Sequence, residues 1–254
     1  MALKRSYRLL ALLITGVGLL ATVSLGFAGD LNNRFHDFTF GRVVYHGGGG
    51  FFRGFGFGQW AMDFPSADAN IIRMLRLMTT LKINEPESVE LTDQKLFEIP
   101  FLYILEVGSL ELDEAEAKNL REYLLRGGFM MVDDFHGTNE WQNWEEQIKK
   151  VFPDRPIEEV PIDNPVFHCY YDFQTFPQIP GIRALMGGRM YERDGKVQQC
   201  RGIFDDKRRL MVLINWNTDI GDGWEEAATP GYERQWSDQA YRLGVNYAVY
   251  AMTH

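Results

Sequence analysis

The chain has 254 residues, 45% of them apolar, with 35 acidic against 26 basic side chains and a formal net charge of −9. That length allows one large domain or at most two small ones, with apolar residues enough for a sizeable core. The acidic balance argues against nucleic acid as a partner, because such binding rests on cations meeting phosphates, and equally against an anionic membrane surface.

Lys4, Arg5 and Arg8 precede an apolar run over residues 9–27, and Gly26-Phe27-Ala28 forms a small-x-small cleavage pattern ahead of Gly29-Asp30. Residues 1–28 are expected to be a secretory signal peptide. An uncleaved inner-membrane anchor is the alternative, since the run exceeds the ~7–15 residues of an ordinary signal core. On either reading residues 29–254 form a single domain outside the cytoplasm, periplasmic or tethered, and meet the membrane only through that segment. Cleavage would leave 23 basic residues against 35 acidic, a net −12. Cys169 and Cys200 are an even pair, so a disulfide is allowed in such a compartment, with two free thiols as the alternative.

Residues 38–45 (FTFGRVVY) read as a first strand, rich in aromatic and β-branched side chains. His46 follows, then GGGGFFRGFGFG over residues 47–58, which opens no helix directly and so carries no dinucleotide signature. It reads as a surface loop, or, through Phe51, Phe52, Phe55 and Phe57, as an aromatic lid or partner-docking loop. Trp60 and Asp63 come next. Ser66 then caps a helix to about residue 81, with Ile71, Leu75 and Met78 on one face. A short strand is expected near 88–91 and a stronger one over 101–105 (FLYIL), ending at Glu106. Asp113 and Glu116 make a capping box for the next helix, which stops at Gly127-Gly128. Phe129 to Val132 form an uninterrupted apolar run, the mark of a strand covered on both faces. Asp133, Asp134 and His136 stand where that run ends, and a helix over 139–150 follows.

From Pro153 six prolines punctuate extended segments that should wrap the sheet edge, carrying Asn164 and His168. Residues 189–193 and 196–203 read as a hairpin turning at Asp194-Gly195. A second turn at Asp205-Asp206, assigned to the opposite end of the sheet, leads to a central strand over 210–216 (LMVLINW). Residues 217–225 (NTDIGDGWE) are polar and glycine-rich beyond that strand. Ser237 is expected to cap a final helix. Strands alternating with helices indicate an α/β three-layer sandwich, its sheet mostly parallel with an antiparallel hairpin extension.

If the strands run parallel, His46 with Trp60 and Asp63, Glu106, Asp133-Asp134 with His136, and the polar groups of residues 217–225, Asn217, Asp219 and Asp222 among them, meet at one edge, where open α/β sheets bind ligands. Three readings compete for them. Carboxylates near imidazoles can hold a divalent cation, with Asp134, His136 and Asp219 as ligands. Asp133, Asp134 and His136 can act as catalytic acid and base, because close carboxylates raise one another's pKa. Each acid can instead cap a turn and do nothing more. Trp60, Asp63, Glu106, His168, Asn217, Asp219 and Asp222 would line a ligand pocket. Trp216 and Trp224 can stack on a sugar or pack in the core. No G-x-S-x-G elbow is present, and neither cysteine follows a strand-to-helix turn.

Four motifs together, WAMDFPSAD over 60–68, GGFMMVDDF over 127–135, NWNTDIGD over 215–222 and YAMTH over 250–254, resemble a bacterial family, the domain of unknown function 4159. The resemblance covers nearly all of residues 38–254. It implies a fold similar to the class I glutamine amidotransferases, of flavodoxin type, and an envelope setting beside aerotolerance-regulator-type membrane proteins. It supplies no reaction. Where an amidotransferase has its nucleophilic cysteine, this chain has Asp133-Asp134-Phe135-His136-Gly137, so glutaminase chemistry is not expected. Asn164 departs from the family by standing where many relatives carry histidine before the proline. The expectation is an exported module binding a small molecule or an envelope protein in an acidic strand-end pocket. The alternative is a metal- or carboxylate-dependent hydrolase of an envelope glycan, amide or ester.

Overall fold

The computed structural model describes residues 37–47 and 58–254. The expected signal segment, and Phe51, Phe52, Phe55 and Phe57 of the glycine-rich stretch, lie outside the described residues.

Seven strands form one sheet: β1 (Phe40–Val44), β2 (Glu87–Glu90), β3 (Phe101–Leu105), β4 (Phe129–Asp133), β5 (Glu158–Glu159), β6 (Gln199–Phe204) and β7 (Leu210–Trp216). Their order is β2-β1-β3-β4-β7-β6-β5. The pairs β1–β2, β1–β3, β3–β4 and β4–β7 are parallel, and β6 runs antiparallel to both β7 and β5. Taken alone, the parallel strands follow the 2-1-3-4-5 order of flavodoxin-like sheets, whose ligand crevice opens where the winding reverses between β1 and β3.

The strand period of two divides the core. Phe101, Tyr103 and Leu105 of β3 and Phe129 and Met131 of β4 face one layer, with Ile71 and Leu75 of α1 (Ser66–Met78), Trp224 of α5 (Ile220–Glu225) and Leu243 and Tyr247 of α6 (Arg234–Thr253). Leu102, Ile104, Met130 and Val132 face the other, with Leu120 and Leu124 of α2 (Glu114–Leu125) and Trp144 and Ile148 of α3 (Gly137–Val151). Apolar neighbours on both faces are why these strands lack polar alternation. The expected capping box starts α2: Asp113 accepts from the Glu116 amide at 2.8 Å and Glu116 from the Asp113 amide at 2.9 Å. After α2, Gly127 takes a φ of +108°, a backbone that glycine adopts without strain.

Several expectations need correction. The antiparallel extension is present, but its hairpin is β6–β7, turning over residues 205–209 rather than at Asp194-Gly195. Asp194 is instead held at the start of α3 by the Thr138 amide at 3.0 Å, so residues 189–193 cross toward the sheet's carboxyl edge and form no strand. The last helix starts at Arg234 with Glu233 before it, and Ser237 is buried inside its first turns. Residues 217–225 contain α5, a helix that their glycines conceal from a propensity reading. Cys169 and Cys200 are both free; the Cys169 thiol donates to the Asn246 carbonyl at 3.0 Å, and Cys200 is buried.

Candidate functional site: a carboxylate cluster at the sheet edge

Glu106, Asp134 and Asn217 are the first residues beyond β3, β4 and β7, and all three take left-handed backbones, with φ of +53°, +47° and +64°. Asp63, after β1, does the same at +60°. Outside glycine this conformation is uncommon and best tolerated by short polar side chains. It breaks the pleat, so residues adjacent in sequence point to different surroundings.

Asp133 and Asp134 demonstrate this. Asp133 Oδ2 accepts from the Tyr103 hydroxyl at 3.0 Å and from the Ile220 and Gly221 amides at 3.0 and 2.9 Å. It thereby fastens the N-terminus of α5 to the end of β4, where a helix's free amides and dipole favour an anion. Burial pushes its carboxyl up to about 7, against those donors. Asp134 has no such amides. Its Oδ1 lies 3.2 Å from His136 Nε2, and burial, then Glu106 and Asp222, hold its pKa well above the carboxylate range.

Asp63, Asp134 and Asp219 each offer an oxygen within 4.8 Å of the others, and Asp63, Asp222 and Glu225 make a second such group. Backbone contacts aim these side chains. Asp219 caps α5 by accepting from the Asp222 amide at 2.8 Å, and Asp222 Oδ2 accepts from the Ile182 amide at 2.6 Å. Asp63 is placed by Arg42, a wholly buried arginine in β1. Its guanidinium pairs with Asp68 of α1, donates to the Met62 carbonyl at 3.1 Å and lies 4.6 Å over the Tyr103 ring. Gly221 permits the approach, since a Cβ there would come within 2.6 Å of both Asp63 Oδ2 and the Tyr103 oxygen.

No lysine or arginine forms an ion pair with these five carboxylates among the described residues. Arg42 is committed to Asp68, and the nearby Arg193 to Glu140. Burial is the first cause raising the pKa of Asp63, Asp134, Asp219 and Asp222, and repulsion from neighbouring carboxylates adds to it in each. Asp63 Oδ2 and His136 Nδ1 are buried without a hydrogen-bond partner. The His136 pKa is lowered by burial, which favours the neutral ring, and its amide donates to Glu140. Glu106 is pushed up to about 7, first by burial and then by Glu140.

Other expected site residues have separate duties. Asn217 is buried with its side chain spent: Oδ1 accepts from the Gly137 amide and Nδ2 donates to the Val197 carbonyl, both at 2.8 Å. Trp60 is half-buried, its ring 5.7 Å from that of Phe64. His168 does not join the cluster; its ring nitrogens meet Asp172 at 3.0 Å and the Ile162 carbonyl at 2.7 Å. It stands next to Cys169, whose thiol contacts Asn246 within α6. Asn164 caps a short 3-10 turn by accepting from the Val166 amide. Trp224 is buried and donates to the Ala240 carbonyl, whereas Trp216 packs on Trp141 and Arg201.

Sequence reasoning missed Glu192 and Glu140, whose charges act on His136 and Glu106, and left Glu225 out of the ligand set. Glu192 was concealed by the false hairpin. Arg42 and Tyr103 had a usable signal, each being a polar side chain within an apolar strand.

The family model for the domain of unknown function DUF4159 matches residues 39–252, and the chain belongs to that family. No curated protein matches it.

Proposed function

We propose that this DUF4159 protein binds a hard divalent cation, Mg²⁺, Mn²⁺ or Ca²⁺, at Asp63, Asp134 and Asp219, and through it a ligand at the carboxyl edge of the sheet. The observation that carries this is the close set of buried carboxylate oxygens, none of them ion-paired to a lysine or arginine among the described residues. Buried charge is costly unless paired, and oxygen-only ligation suits these ions. Exported placement, through residues 1–28, and an envelope protein or small molecule as the ligand complete the reading, because a cation would convert an anion-repelling pocket into one that accepts polar oxygens.

A second reading, metal-assisted hydrolysis of an envelope glycan, amide or ester, is favoured by Glu106. A carboxyl pushed up to about 7 beside His136 suits a general base near neutral pH. Calorimetric titration of the full chain with MnCl₂ tests the binding. Saturable heat in the wild type that vanishes in Asp134→Ala is expected, and equal heat in both proteins would overturn it. Glu106→Gln then separates the two readings, since hydrolysis requires a loss of turnover with Mn²⁺ affinity retained.

A further inference from the structure

Asp63 belongs to both oxygen groups, one with Asp134 and Asp219 and the other with Asp222 and Glu225. We infer that the edge holds two divalent cations side by side, with Asp63 as the carboxylate shared between them. The inference rests on the cation reading above and deepens it from one ion to a pair.

The local architecture supports two ions. Asp219, Asp222 and Glu225 recur at a spacing of three along α5 and its cap, so one side of a short helix presents them in a row. Asp63 stands opposite that row, its segment held by the Arg42 contacts to the Trp60 and Met62 carbonyls. Only 9% exposed, Asp63 has an oxygen, Oδ2, with no hydrogen-bond partner. A buried carboxylate oxygen lacking a donor is an uncommon loss in a folded chain, and a second metal ion supplies what it lacks. Asp222, in the same group as Asp63, is aimed by the Ile182 amide, which donates to its Oδ2 at 2.6 Å. One dication would leave most of the charge of the five carboxylates standing, whereas two nearly neutralise it. Paired ions bridged by a carboxylate sit about 3.5–4 Å apart, close enough to share one oxygen of a bound ligand.

The test is to titrate the full chain with MnCl₂, count bound ions by equilibrium dialysis and record the electron paramagnetic resonance spectrum. Two ions per chain with an exchange-coupled signal are expected. Glu225→Gln should reduce this to one ion with an isolated Mn²⁺ spectrum, the second site weakening at least about tenfold for loss of a charged ligand. Glu225 is half-buried at the end of α5, and circular dichroism would confirm that the variant folds. A single ion in the wild type, unaffected by Glu225→Gln, would overturn the pair and leave the single-cation reading intact. No bound ion at all would sink both.

Discussion

The two rims of the sheet use the same side chains to opposite effect. At the rim where β7 begins, each of several acids has an arginine: Asp205 pairs with Arg209, Asp206 with Arg155, Glu158 with Arg208 and Asp154 with Arg121. Asp154 is pulled down to about 2 by Arg121, and Asp206 and Glu158 are lowered by their partners. At the rim where the parallel strands end, Asp63, Asp134, Asp219 and Asp222 are buried, form no ion pair with arginine or lysine among the described residues, and are all raised. The chain can supply arginine where an acid is structural. Around Asp63, Asp134 and Asp219 no such arginine pair is formed among the described residues, and the proposed cation is what would supply the counter-charge.

The sharpest way to break this comparison uses neighbours on one rim. Asp133→Ala strands the Tyr103 hydroxyl and two α5 amides, and at about 1–3 kcal/mol for each unsatisfied group should destabilise the fold by roughly 3–5 kcal/mol in urea titration. Asp134→Ala removes a charge from a repelling set and should leave metal-free stability unchanged or raise it. Equal losses in both variants would erase the distinction between an anchoring and a ligand-binding aspartate.

Next in size is stabilisation by the cation. At about 100 times its Kd, Mn²⁺ should add about 2.7 kcal/mol, which for a domain of this size raises Tm by roughly 5–10 °C. Asp134→Ala should abolish that shift.

The pH dependence is smaller and differs between the rims. Asp133 and Glu106 reach about 7 in the fold, whereas the unfolded chain ionises them near ~4. Between those values the folded state binds more protons, so metal-free stability falls as pH rises from about 4 to about 7. Asp154 acts the other way: its contribution is present above ~4 and is lost as pH falls toward about 2. Urea midpoints without metal should therefore peak near pH ~4–5, and saturating Mn²⁺ should remove the decline above the peak. A metal-free midpoint that climbs steadily to pH 8 would contradict the raised values. Least affected of all should be Asp206→Ala, an exposed pair screened by solvent, with Tm essentially unchanged.

The legible parts of the sequence were those in which one residue's neighbours decide its state. Strands β3, β4 and β7 were readable because apolar runs with no polar alternation have few alternatives, and Glu106, Asp134 and Asp219 because they closely follow such runs. The capping box at Asp113 is local and was found. What stayed hidden depends on distant partners. Nothing near Asp133 reveals that its acceptor oxygen is filled by amides at 220 and 221, and α5 itself is concealed by Gly221 and Gly223. Glu192 reaches the site only because Asp194 is caught by Thr138. His168 attracted a role by residue type alone, while Asp172, four residues on, already holds it.

The central claim, that this rim is built around a cation the chain does not itself provide, is tested most directly by anomalous diffraction from crystals grown with MnCl₂. The account predicts manganese density bounded by oxygens of Asp63, Asp134 and Asp219. Ordered crystals with those carboxylates bonded only to water or to each other, and manganese elsewhere or nowhere, would contradict it.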